Sequence, residues 1–217
     1  MRYIQKIPVP PELQASLEKS LKKKLSWDNF KDEDGRSELR AHLWKEQFGL
    51  CAYSEISLNE YGFHIDHIQP KGNSKYFHLR FDANNLVASA LVNQNCVAKK
   101  DLFGGHKKDN SEIAITPAQQ NCNKHFEYTP TGMIQPAKQL TDQDKQLTQQ
   151  TIDCLGLQCQ LLINKRHTVY ASINQQLSYL LEDAEALSYF INDYLEPNAQ
   201  GQLKPFQSMA EQIFNRN

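Results

Sequence analysis

Residues 62–72 read Gly62-Phe63-His64-Ile65-Asp66-His67-Ile68-Gln69-Pro70-Lys71-Gly72, and this stretch organises the chain around it. Phe63 and Ile65, followed by Pro70, have the pattern of a strand running into a loop. Successive side chains of a strand point to opposite faces, so Asp66 and His67 leave one backbone in opposed directions, with His64 on the side of Asp66. Such a pair can flank a phosphodiester, the carboxylate holding a metal on one side and the imidazole activating water on the other. An isolated Asp-His dipeptide is more often a buried histidine beside its neighbour, so its company decides. Asn84-Asn85-Leu86-Val87 follows, and then Gly104-Gly105-His106-Lys107-Lys108-Asp109-Asn110.

Around this stretch the charge changes sign. The 217-residue chain has a net charge of −1 and so lacks the overall basic footprint of a nucleic-acid binder. Between His64 and Asn110, however, stand seven basic residues (Lys71, Lys75, Arg80, Lys99, Lys100, Lys107, Lys108) against four acids, with four of the seven histidines. A basic island in an otherwise acidic protein is where an anionic substrate would be held, the alternative being a solvated, loop-rich surface. A hydrophobic fraction of 40% supplies a core, while a mean hydropathy of −0.64 excludes a membrane protein. No apolar run approaches the ~18 residues of a membrane span, and the prolines at 8, 10 and 11 interrupt any signal-peptide stretch. The chain is therefore expected to be soluble and cytoplasmic, with no membrane partner. Five cysteines at 51, 96, 122, 154 and 159 suit reduced thiols better than a disulfide framework.

The flanks read as helices. Leu13, Leu17, Leu21 and Leu25 recur every four residues, with Lys22, Lys23 and Lys24 on the other face, a run more often solvated than bound to phosphate. A second helix is predicted from Ser37 as N-cap through Leu39, Leu43 and Phe48 to a stop at Gly49. Residues 51–112 break into short apolar pieces punctuated by Gly, Asn and Pro, as strands and loops around a site do. Beyond Thr141 helical periodicity returns through Ile152, Leu155, Leu162, Leu177, Leu181, Phe190 and Tyr194, closes at Pro197, and resumes from Met209 to Phe214. The expected architecture is α+β, mainly α: a helical segment at 1–50, a core at 51–112 and a helical region at 113–217, forming one compact unit.

The order Asp-His, Asn, His resembles the HNH endonucleases, whose ββα-metal (His-Me finger) core holds one divalent cation between a hairpin and a helix. The chain also resembles the PtuB family of HNH nucleases, which accompany an ATPase in Septu-type antiphage defence and in some retrons. That likeness runs through Ser26-Trp27-Asp28-Asn29-Phe30, Glu46-Gln47-Phe48-Gly49-Leu50-Cys51-Ala52-Tyr53, and Cys122 with His125-Phe126-Glu127-Tyr128. The resemblance implies that Asp66 binds the metal, that His67 is the general base that deprotonates water, and that Asn85 steadies the hairpin and orients His67. It implies His106 as a second metal ligand, with Asn93, Asn95 or Cys96 as alternatives for that slot. His64 is either an accessory ligand or a strand residue beside Asp66.

Relatives of this kind often carry a four-cysteine zinc site, but Ser54, Ala90 and Gly104 stand here where the partners of Cys51 would fall. One thiolate cannot make a tetrahedral zinc centre, so no structural zinc is expected and Cys51 reads as a small buried hydrophobe. A carboxylate oxygen with an imidazole favours Mg²⁺ or Mn²⁺ in the site, with Zn²⁺ or Ni²⁺ as alternatives. Lys71, Lys75, Lys107 and Lys108 would contact the nucleic-acid backbone without reading sequence. The resemblance further implies DNA ahead of RNA as substrate and an ABC/SMC-type ATPase as partner; the helices beyond residue 140 exceed a minimal core and would either dock a partner or pack the core. Two other readings stay open: a ribonuclease with the same residues, for instance acting on tRNA, and a non-catalytic module that binds nucleic acid or a partner.

Overall fold

The computed structural model describes residues 1–215. Helix α1 (Pro11–Lys22) starts on a proline, whose missing N–H costs nothing in a first turn, and buries Leu13 and Leu17. Its end turns through Lys24, at a φ of 52°. Helix α2 (Arg36–Glu46) starts earlier than its sequence suggests. Gly35, at a φ of 92°, is the N-cap, and the Ser37 hydroxyl donates instead to Asp32 Oδ1. A left-handed residue there favours glycine, which has no Cβ to clash. The helix also stops short of Gly49, because Phe48 and Gly49 both take positive φ.

Strands β1 (Phe63–His67) and β2 (Leu86–Ala90) pair antiparallel, with Phe63 opposite Ala90 and His67 opposite Leu86. Every residue of β2 is buried. Its small side chains let the chain after α2 close on its free edge. Gln47 there imitates a strand: its amide donates to Ala88 O at 2.9 Å and accepts from Ala88 N at 2.7 Å. Helix α3 (Gly105–Lys108) then folds over the hairpin, with Gly105 N donating to Ser89 Oγ at 3.0 Å. A Cβ on Gly105 would come 2.6 Å from His64 Nε2 and 2.7 Å from Asp66 Cγ, so only glycine permits this approach.

Residues 113–140 depart from the helical region expected for them. They hold a second hairpin, β3 (Phe126–Tyr128) and β4 (Ile134–Pro136), whose three-residue strands are too short to show an alternation. Helix α4 (Asp142–Cys154) follows, capped by Thr141 Oγ1 accepting from Asp144 N, then α5 (Gln160–Leu180), α6 (Ala184–Leu195) and α7 (Gln207–Phe214). The buried guanidinium of Arg166 ties α5 down by donating to Gly132 O and Leu157 O, each at 2.7 Å.

With its helices and two small antiparallel sheets the fold is α+β. One hydrophobic cluster runs from Met1 and Leu17 through Tyr53 and Val87 to Ile152 and Met209, so the N-terminal, central and C-terminal segments share a core. A buried ion pair crosses it. The Met1 ammonium lies 2.8 Å from Glu55 Oε1 and donates to Tyr128 Oη at 2.7 Å, while Ser208 N donates to Glu55 Oε2 at 2.8 Å. No helix among the described residues is long and apolar enough to cross a membrane.

Candidate active site

Alternation along β1 puts His64 and Asp66 on one face and Ile65 and His67 on the other. All four reach a cleft of about 190 Å³ between the hairpin and α3, where they meet Lys71, His106 and Lys108.

His67 ends the strand and is only 3% exposed. The Trp27 ring stands edge-on to it, with centroids 4.5 Å apart and planes at 81°. His67 Nε2 lies 3.0 Å from Arg80 O. A carbonyl only accepts, so Nε2 carries the proton and Nδ1 keeps the lone pair. Burial pushes the His67 pKa down to about 4, against the opposing pull of the Arg80 carbonyl and Asp66, so the ring is neutral at pH 7. The hydrogen bonds of Asn85 go to the backbone beside that ring, not to the ring itself. Its buried side chain accepts from Gln69 N at 2.7 Å and donates to Gln69 O at 3.1 Å and Leu79 O at 3.2 Å. It thereby fixes the loop whose next carbonyl, that of Arg80, holds His67.

Asp66 is held from two sides. Tyr53 Oη donates to Asp66 Oδ2 at 2.6 Å, and Lys108 Nζ lies 3.5 Å from the same oxygen. Burial, then the Asp66 charge, raise the Tyr53 pKa well above its ordinary value, which keeps the hydroxyl a donor. The expectation for Lys108 is corrected here. It is 1% exposed and donates to His67 O at 2.9 Å, so it braces α3 against β1 and is not a surface contact for a phosphate backbone. Lys71, Lys75 and Lys107 are exposed.

The other two histidines share one acceptor. His64 Nδ1 and His106 Nε2 lie 2.8 Å and 3.1 Å from Leu91 O, and their rings touch at a tilt of 33° with centroids 3.9 Å apart. Leu91 has a φ of 73°, a conformation that costs a non-glycine residue on the order of 1–3 kcal/mol and that clusters at functional sites. Both rings therefore donate to this carbonyl, leaving lone pairs on His64 Nε2 and His106 Nδ1. Burial, then the neighbouring His106, lower the His64 pKa to about 4, and burial lowers that of His106. Neutral imidazoles whose other N–H donates to a carbonyl are the form that metal ligands take.

His64 Nε2 and the Asp66 carboxyl both lie against Gly105. Among the described residues no three His, Cys, Asp or Glu side chains converge on one point as a closed cage. An open pair of one carboxylate oxygen and one imidazole fits a hard divalent cation that keeps most of its own water. Of the alternatives to His106, Asn93 accepts from Asn95 N in a surface turn and the Cys96 thiol lies against Tyr61 O; none of the three lines the cleft. Cys51 is buried, its sulfur accepting from Ala90 N at 3.2 Å, and Ser54 beside it is buried too.

Tyr53, Trp27 and Leu91 carry no role in the sequence reading. Tyr53 and Trp27 stand inside segments already singled out, which is the one signal that pointed to them. A carbonyl aimed by an unusual φ leaves no mark in the sequence.

The chain is 32% identical over 120 residues to a protein of Vibrio cholerae serotype O1 biovar El Tor described as "Retron Vc95 putative HNH endonuclease". The alignment covers 55% of this chain, and the chain spans 57% of that relative's length. This likeness supports the HNH endonuclease family. No protein-family model matches the chain.

Proposed function

We propose that this chain is a divalent-metal-dependent HNH endonuclease that hydrolyses phosphodiester bonds of nucleic acid. The observation that carries the reading is the β1–β2 hairpin closed by α3, which gathers Asp66, His64, His106 and an anchored, neutral His67 around one cleft. The similarity to a retron-associated relative supports a place in bacterial antiphage defence. An ABC/SMC-type ATPase is the proposed partner and the cytoplasm the proposed compartment.

His67 Nδ1 takes the proton of the attacking water. The Arg80 carbonyl, accepting from Nε2–H, keeps the ring in place as it becomes positive. Phosphate anions in the cleft raise the basicity of the imidazole toward the working range. Asp66, with His64 or His106, would hold the divalent cation, which supplies charge neutralisation at the phosphate and the leaving oxygen. Tyr53 keeps the carboxyl turned toward the cleft, and Asn85 keeps the Arg80 carbonyl where His67 needs it. Lys71 stands at the mouth to meet the flanking phosphate.

The test incubates purified protein with supercoiled DNA, total RNA and bis(p-nitrophenyl) phosphate in Mg²⁺, Mn²⁺ or EDTA, with and without the ATPase. Metal-dependent hydrolysis that disappears in His67→Asn is the expected result. Absence of metal-dependent hydrolysis of all three substrates under every condition would overturn the proposal, and an equal rate in the variant would remove His67 as the base.

A further inference from the structure

Lys22, Lys23 and Lys24 form the longest cationic run in the chain, and nothing in the site described above uses them. All three are exposed. Lysines at a helix C-terminus complement the helix dipole, which accounts for Lys22 in the last turn of α1 but not for Lys24, which lies beyond it. The fold gives the run a second meaning through the segment that follows. Leu25 O accepts from Arg80 Nη1 at 3.5 Å, and Arg80 Nη2 donates to Lys71 O at 3.4 Å. Trp27 packs on His67, and Asp28 Oδ1 lies 4.0 Å from Lys71 Nζ. The chain from Lys24 to Asp28 thus runs along the rim of the cleft. Consecutive Cα atoms are about 3.8 Å apart, so Lys24 is one residue step from the Arg80 contact and the run begins within a few steps of it.

Joined in this way, Lys22, Lys23 and Lys24 extend the exposed cations Lys71 and Lys75 outward from the cleft past the side where His67 is buried. Asp28, the acid of the segment from Lys24 to Asp28, is 88% exposed at the limit of ion-pair distance from Lys71. We propose that Lys22, Lys23 and Lys24 are a phosphate track that binds the nucleic-acid strand beyond the bond placed in the cleft. The inference rests on the nuclease reading and adds to it where the strand lies. It also answers a deficit: a net charge of −1 gives weak affinity for a polyanion unless cations are concentrated along its path. Because lysines meet phosphates as point charges, the track is indifferent to base sequence.

The full-length chain is titrated in EDTA, so that no cleavage occurs, against a fluorescent single-stranded DNA and the matching RNA over a range of salt concentrations. The variant Lys22→Gln/Lys23→Gln/Lys24→Gln is compared with Lys45→Gln/Lys124→Gln/Lys138→Gln, which removes equal charge from exposed positions outside the cleft. On a single strand each lysine that meets a phosphate contributes about 0.7 to the slope of log affinity against log salt, so the first variant should lose about two units and the second none. Thermal unfolding of both verifies the fold. Loss on DNA, on RNA or on both supports the track and names its strand. An unchanged slope in a variant that folds, or an equal loss in the second variant, overturns it while the nuclease assignment stands. A wild-type chain that binds neither oligonucleotide likewise overturns the track, while the nuclease assignment stands on its own hydrolysis test.

Discussion

The ammonium of Lys108 lies 3.5 Å from Asp66 Oδ2 and donates to the backbone oxygen of His67 at 2.9 Å, with none of its side chain exposed. One buried cation thus holds both members of the Asp-His pair. Lys108→Met keeps the length of the side chain and removes the charge. It should cost on the order of 2–3 kcal/mol in urea unfolding, less than the full penalty for a broken buried pair because Asp66 keeps some exposure and the Tyr53 hydroxyl. A variant with wild-type stability would show that the lysine is a passenger.

Because His67 is packed against Trp27, truncating it to alanine removes packing as well as chemistry. His67→Asn is the cleaner substitution. It should lower the cleavage rate by about 10²–10⁴-fold, the usual contribution of a general base, with a far smaller effect on the unfolding midpoint. Equal losses of activity and fold would assign His67 to packing alone.

Tyr53→Phe deletes one oxygen from the core and frees Asp66 to rotate. Loss of such an outer partner typically weakens a metal site about 10–100-fold, so calorimetric titration with Mn²⁺ should show a loss in that range while the melting temperature stays close to wild type. His64→Ala and His106→Ala in the same titration decide which imidazole is the ligand. His64 shares a strand face with Asp66 and lies with it against Gly105, so its loss should be the larger; the reverse order would place the cation on the α3 side.

Glu55 predicts an acid limb of stability. Burial alone would raise its pKa, but the Met1 ammonium and the Ser208 N–H outweigh burial and hold it below the ordinary carboxylate value. A folded pKa below the unfolded one means that the unfolded state binds more protons in between. The stabilisation is therefore complete above the unfolded value and is lost as pH falls through the folded one. Glu55→Gln should lose about 3–5 kcal/mol at neutral pH, because it strands a buried ammonium, and its stability should vary less with pH across the acid range. Parallel acid limbs in variant and wild type would exclude Glu55 as their source.

Strand β1 was legible because its signal is local: the alternation in Phe63–His67 lies within the residues it shapes, whereas the pairing with β2 was expected only from the resemblance. The same locality explains the errors. Lys108 stands two positions after His106, yet a four-residue helix gives no periodicity from which to tell an inward lysine from an outward one. Gly35 displaced Ser37 as N-cap because backbone conformation outranked side-chain capping at that turn. The Tyr53–Asp66 bond and the double acceptor at Leu91 join residues far apart in sequence, and no spacing rule reaches across the loops that bring them together.

Trp27 of the N-terminal segment packs on His67, and Gly104 N donates to Leu155 O beyond α4, so a cleft lined by residues between 64 and 110 is braced by both flanks of the chain. A ββα unit cut out at residues 51–112 would leave its histidine without the indole that shelters it. Unlike a portable cassette, this motif should not survive grafting onto a foreign scaffold; engineers wishing to redirect it would have to move the whole molecule.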